Sequence, residues 1–220
     1  MGKKTSGEGA MAGGRPRGFD VDEALDRALE VFWRQGYEGT ALSDLTAAMG
    51  INRPSLYATF GNKEALFRKV LDRYADGPAA FAARALELPR ARDVVEALVY
   101  GAIELTTGPD TPLGCINVRT AQACGPEADP ARHESMTRRA ADHAALRSRL
   151  RRARAEGDLP PGADPDALAE FVATFMDGIA VQASGGTSRA QLRHAAAIAL
   201  RAWPAPGPAG GSNPAVARAR

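Results

Sequence analysis

Residues 40–66 read TALSDLTAAMGINRPSLYATFGNKEAL, and the fold is decided in this stretch. Thr40 is an N-cap type of residue, Ser43 and Asp44 follow in a first turn, and Leu42, Leu45 and Met49 repeat near helical spacing. Gly50 stands where a helix leaves through a left-handed residue. Ile51 then supplies an apolar plug and Asn52 a second N-cap. Arg53, Pro54 and Ser55 open the next helix, with the proline in a first-turn position that tolerates it. Helix, glycine turn and helix make a helix-turn-helix.

The second of these helices is expected to be a recognition helix. Arg53, Ser55 and Thr59 point outward while Leu56 and Phe60 fall on the inner side, so the first turn offers donors to a major groove. Gly61 ends that helix, Asn62 caps another, and Lys63 at a positive helix end suits a phosphate. Arg53 and Ser55 are therefore expected at base edges, and Thr40, Asn52, Tyr57 and Lys63 on the DNA backbone. Pro54 either packs on a thymine methyl or stiffens the helix start.

The run GINRPSLYATFGNKEALF, residues 50–67, resembles the signature of TetR/AcrR-type transcriptional regulators. In that family a short recognition helix ends in Tyr-x-x-Phe, here Tyr57 and Phe60, and a Lys, here Lys63, begins the next helix. The resemblance is strong from about Phe19 to Tyr74, and the remaining two thirds is similar only in size and helical character. It implies an all-α protein with a helix-turn-helix head at residues 19–65 and a helical ligand-binding and dimerisation domain at 66–203. It also implies a homodimer on a palindromic operator in double-stranded DNA, and repression relieved by a small, largely apolar effector held inside the body.

At 220 residues with 45% hydrophobic content the chain can bury a sizeable core. No apolar run approaches the ~20 residues of a membrane span, and MGKKTSGEGAMAGGRPRG lacks the apolar centre of a signal peptide. A cytoplasmic location without membrane contact is expected. The net charge of +2 does not by itself announce a nucleic-acid binder, so placement has to serve. Arg15 and Arg17 form a basic arm in a flexible segment, residues 1–18, and residues 204–220 read as a Pro/Gly/Ala-rich disordered tail.

Along the rest of the chain, Asp20 with Glu23 makes a capping-box-like start, and the first helix runs to Gly36 with Trp33 as core support. The helix from Lys63 is expected to continue toward Leu88, with Gly77-Pro78 breaking or kinking it and the whole serving as a lever between head and body. Pro112 reads as the start of a short helix. Residues 129–157 form a long helix with Met136, Ala140, His143, Leu146 or Arg147, Leu150 and Ala153 on one face. Its many arginines, Arg132, Arg138, Arg139, Arg149, Arg151 and Arg154 among them, read as a solvated face, with an anion-binding surface as the alternative. Two apolar helices follow, at 164–184 and 188–203. Leu168, Val172, Phe175, Ile179, Leu192, Ala196 and Ala199 are their expected dimer seam, and Cys115, Ile116, Arg119, Phe171 and Phe175 the expected walls of the effector pocket.

No catalytic constellation emerges, and no metal or cofactor is expected. Cys115 and Cys124 lack metal-ligand spacing, and His133, His143 and His194 have no partnered carboxylate motif. Two cysteines are too few for a disulfide framework. The reading from another class is a thiol-based redox-sensing regulator or small helical enzyme using Cys115 or Cys124, with Arg119 one turn from Cys115 to favour a thiolate. A helical interaction bundle that never binds DNA is a third.

Overall fold

The computed structural model describes residues 18–122 and 125–204. The basic arm, Cys124 and the C-terminal tail lie outside the described residues, apart from Gly18 and Pro204. Among the described residues the regular elements are all helical: α1 (Val21–Gly39), α2 (Leu42–Met49), α3 (Arg53–Phe60), α4 (Lys63–Asp76), α5 (Phe81–Leu86), α6 (Ala91–Thr107), α7 (Ile116–Ala121), a 3-10 turn (Pro126–Ala128), α8 (Asp129–Ala155), α9 (Pro165–Ser184) and α10 (Arg189–Arg201).

α1 begins where Asp20 accepts hydrogen bonds from the N–H groups of Asp22 and Glu23. Glu23 pairs with Arg27. The helix buries Ala24, Ala28, Leu29, Phe32 and Trp33. Gly36, at φ 73°, breaks it, and Tyr37 then folds back so that its ring and that of Phe32 both meet the edge of Phe67, at 5.0 and 5.1 Å. Phe32 and Phe67 are fully enclosed, and each such side chain contributes about 1.5–3 kcal/mol by leaving water. α4 joins the same cluster along its length through Leu66, Phe67, Val70, Leu71 and Tyr74, so the head's apolar core continues past residue 65 and takes in Ile116, Ala128 and Ala131.

Gly77 and Pro78 end α4 outright, and a turn leads into the separate α5. The long lever expected to reach Leu88 is therefore two helices, because proline supplies no N–H and crowds the preceding turn.

A second cluster forms the body. Val94, Val95, Leu98 and Ile103 of α6 meet Leu146 and Leu150 of α8, Val172 and Ile179 of α9, and Leu192, Ala196 and Leu200 of α10, with Trp203 closing the end. The short helix after α6 begins just after Cys115, and Pro112 stands before it in an irregular segment. Gly114 fixes that segment. Its φ is 85°, and a Cβ there would lie 1.9 Å from Ser184 Oγ and 3.3 Å from Ala180 O, so only glycine lets the chain lie this close on α9.

The arginines of α8 are not an open anion surface: several are paired, while Arg151 and Arg152 stay solvent-exposed. Arg138 bonds Asp72 of α4 and Glu134, Arg139 pairs with Asp177 of α9, and Arg151 holds Asp166. Arg149 is buried and donates to the carbonyls of Leu86, Leu88 and Pro89, tying down the link between α5 and α6. Met136 is exposed, and the inward face of α8 is Ala131, Ser135, Leu146, Arg149, Leu150 and Ala153.

The expected dimer seam also needs correction at the level of residues. Val172, Ile179, Leu192 and Ala196 face inward and belong to the protomer's own core, while Leu168, Phe175 and Ala199 sit half-buried at its edge. What α9 and α10 turn outward is Phe171, Val181 and Ile198, large apolar side chains that stay exposed. An apolar helix packed on one side hides the residues that periodicity finds first.

Candidate nucleic-acid interface and cavity

The turn between α2 and α3 follows from two local devices. Gly50 adopts φ 67°, which lets the N–H of Ile51 reach back to Thr46 O at 3.1 Å, and Asn52 Oδ1 accepts from Ser55 N–H at 2.9 Å to start α3. Leu56 and Phe60 anchor α3 in the core. Arg53, Pro54 and Tyr57 are left exposed on the opposite side, with Ser55 and Thr59 half-buried beside them. Asn52 is also exposed, with its Oδ1 held by the cap.

Thr40 is placed differently from its expectation. It is 1% exposed, its hydroxyl donates to Gly36 O at 2.6 Å, and Ala41 is the residue that caps α2. The Ala41 N–H donates to Asp44 Oδ2 at 3.1 Å. Burial in the α1–α2 corner removes the Thr40 side chain from any DNA-facing surface. Lys63 does stand at the start of α4, and its ammonium lies 4.4 Å from the centre of the Tyr37 ring. Tyr37 was missed in the sequence, where the only sign is an aromatic residue inside the polar turn Gly36-Tyr37-Glu38-Gly39.

Residues 24–70 match the model of the bacterial regulatory proteins of the tetR family, and residues 91–199 match a tetracyclin repressor-like C-terminal domain. The HTH-type transcriptional repressor ComR of Escherichia coli is 39% identical over 196 residues, covering 87% of this chain and 92% of that protein. The chain belongs to the TetR family. As a TetR-family protein it is a DNA-binding transcriptional regulator. A cysteine mutant of the TetR family transcriptional regulator CifR, complexed with 26-bp double-strand operator DNA, matches with a TM-score of 0.82 at 41% identity, over 87% of this chain and 100% of that one. A TetR transcriptional regulator from a Rhodococcus species matches with a TM-score of 0.53 at 38% identity, over 84% and 100% of the two chains. Among the described residues no helix is long and apolar enough to cross a membrane.

The body of this TetR-family protein holds a cavity of about 490 Å³ between α4, α5, α6, α7, α8 and α9. Its wall is mostly apolar, with Leu71, Tyr74, Phe81, Leu98 and Met176 among its larger members. Of the five expected wall residues the cavity includes Cys115 alone. Ile116 is enclosed in the head cluster, and Phe171 and Phe175 stack on each other 6.2 Å apart along α9, with Phe171 exposed. Within the wall the Tyr74 hydroxyl donates to Cys115 Sγ at 3.4 Å. Burial pushes the Tyr74 phenol well above its usual value, so it remains a proton donor.

α7 joins this cavity to the head. Cys115, Asn117 and Val118 line the cavity. On the other side Arg119 donates to Arg34 O at the end of α1 and to Leu113 O, Trp33 Nε1–H donates to Gly114 O at 2.8 Å, and the Gly125 N–H donates to Glu38 at 2.7 Å. Arg119 was expected in the pocket and instead bonds the backbone of α1.

Proposed function

We propose that this protein represses transcription as a homodimer on a two-fold-symmetric operator, and that a small, mainly apolar molecule entering the cavity releases it. Supporting the repressor reading is the likeness to ComR, named a transcriptional repressor, and to CifR, solved on operator DNA. One α3 of eight residues reaches few base pairs, so two heads related by a two-fold axis are needed for a site of useful specificity. The exposed Phe171, Val181 and Ile198 give α9 and α10 an apolar face suited to a second copy.

On DNA, Arg53 and Ser55 read base edges, Pro54 stiffens the helix start, and Tyr57, Asn52 and Lys63 hold the backbone, with Thr59 beside them. The observation that carries the regulatory reading is α7, which lines the cavity on one side and bonds α1 on the other. An effector changes DNA binding only by preferring one arrangement of the protein over another. A ligand that moves α7 moves Gly114 and Arg119, and through them the end of α1 behind the helix-turn-helix. Selecting bound sequences from random DNA tests the operator reading. A two-fold-symmetric consensus is expected, and a single asymmetric half-site would overturn it.

A further inference from the structure

The charged side chains of the cavity wall are Arg138, Arg139, Asp142 and Asp177, with His143 beside them. Arg138 is bonded to Asp72 and Glu134, and Arg139 to Asp177, while Glu134 also lies 3.5 Å from Arg68. Those arginines, Arg68, Arg138 and Arg139, therefore face the carboxylates Asp72, Glu134 and Asp177 within the ion pairs. Asp142 is the carboxylate left over. It lines the cavity and makes no hydrogen bond or ion pair among the described residues. Its surface is open, yet that surface borders the cavity, and burial pushes its carboxyl above the ordinary value while His143 and Arg138 pull it back. Such a group gains from a cation and loses from an anion. Tyr74 and Phe81 add aromatic rings to the same wall, and ring faces also favour a cation.

Resting on the reading that this cavity is the effector site, we infer that its ligand is an amphipathic organic cation: an apolar chain or ring carrying one protonated amine, with Asp142 as counter-charge. The apolar lining takes the body of the molecule, and a volume of about 490 Å³ falls within the range of small-ligand pockets, roughly 300–1,000 Å³. A carboxylate effector is disfavoured, because the arginines that would receive it are already paired.

The test titrates the full chain by calorimetry at pH 8 with three probes of one chain length: n-octylamine, n-octanol and sodium octanoate. At that pH the amine is protonated, as a lysine is. The inference expects octylamine to bind about tenfold or more tighter than octanol, and octanoate weakest, the scale of one charge-assisted contact. In Asp142→Asn the amine should fall to the affinity of octanol, while octanol binding stays as in the wild type and shows the cavity intact. Octanol binding with no preference for the amine, or an amine preference that survives Asp142→Asn, overturns the cation and leaves the cavity as the effector site. Failure of all three probes to bind overturns the cavity reading and the inference with it.

Discussion

Replacing Lys63 and its aromatic support separately distinguishes charge from placement at the DNA. Lys63→Met removes a cation from the start of α4 and keeps the apolar stem. If Lys63 holds a phosphate, the slope of log K against log salt falls by roughly one unit, because one fewer counterion is released, and binding weakens on every sequence alike. Tyr37→Leu keeps the charge and removes the ring 4.4 Å below it. A cation–π contact at an exposed site is worth about 0.5–1 kcal/mol, so operator affinity should fall about two- to fivefold with the salt slope unchanged. The same substitution takes the ring from its stack on Phe32 and from the edge of Phe67, so the melting temperature drops as well. Binding is therefore compared at a temperature where circular dichroism shows the variant folded. Arg53→Ala supplies the contrast, losing about 1–3 kcal/mol on the operator and little on random DNA. Fluorescence anisotropy of labelled operator across a salt series reads all three. An unchanged slope for Lys63→Met, or a slope change for Tyr37→Leu, would refute this division of roles.

On the dimer face, Phe171→Glu should give a folded monomer by sedimentation and circular dichroism, whereas Ile179→Glu places a charge in the protomer's core and should fail to fold; a dimer persisting in Phe171→Glu moves the seam elsewhere. In the head, Asp26 is bonded twice by Arg73, at 2.6 and 2.7 Å, and that guanidinium holds its carboxyl below the usual range. Its stabilisation is present above the unfolded-state value of about 3.9 and is lost as pH falls through the lower folded value. Asp26→Asn should thus lower the melting temperature slightly at pH 7, as befits an exposed pair, and the gap from wild type should close as acid protonates Asp26; a gap that is constant with pH excludes the ion pair as its cause. Arg119→Met keeps the stem that lies against Gly36 and removes the bonds to Arg34 O and Leu113 O. Operator affinity should hold while the loss of that affinity at saturating effector shrinks about tenfold, a change of ~1.4 kcal/mol in coupling; an unaltered effector response takes α7 out of the mechanism.

Five helix starts are written locally, and so they are legible. Asp20, Asn52, Asn62, Asp164 and Ser188 each bond an N–H two or three residues ahead, and each can be read from its own neighbourhood. Thr40 has the same chemistry, but its hydroxyl finds Gly36 O when the corner between α1 and α2 closes, and no local pattern announces that. Distance in the chain hides the rest. The arginines of α8 look unopposed because Asp72, Asp166 and Asp177 arrive from α4 and α9. On α9, apolar residues occupy both an inward and an outward face, and only packing shows that Val172 and Ile179 are inside and Phe171 outside. The cavity wall is assembled from six helices, a grouping that periodicity within any one of them cannot reveal.

The same separation explains why the joint of the molecule is its least conspicuous helix. Six residues are too few for a helix to persist on its own, since nucleation is unfavourable and each further hydrogen bond adds little. α7 therefore exists by virtue of its neighbours: Ile116 in the head core, Gly114 against α9, Arg119 on the end of α1 and Cys115 under the Tyr74 hydroxyl. A rigid long helix could absorb a ligand at one side by tilting slightly about many contacts. On the proposed effector reading, a molecule pressing on Cys115 or Val118 pushes on a helix tied to α1 through Arg119 and, at Gly114, through Trp33. On that reading a movement of α7 reaches the support of the recognition helix beside α4, which lines the cavity itself through Leu71, Tyr74 and Ala75.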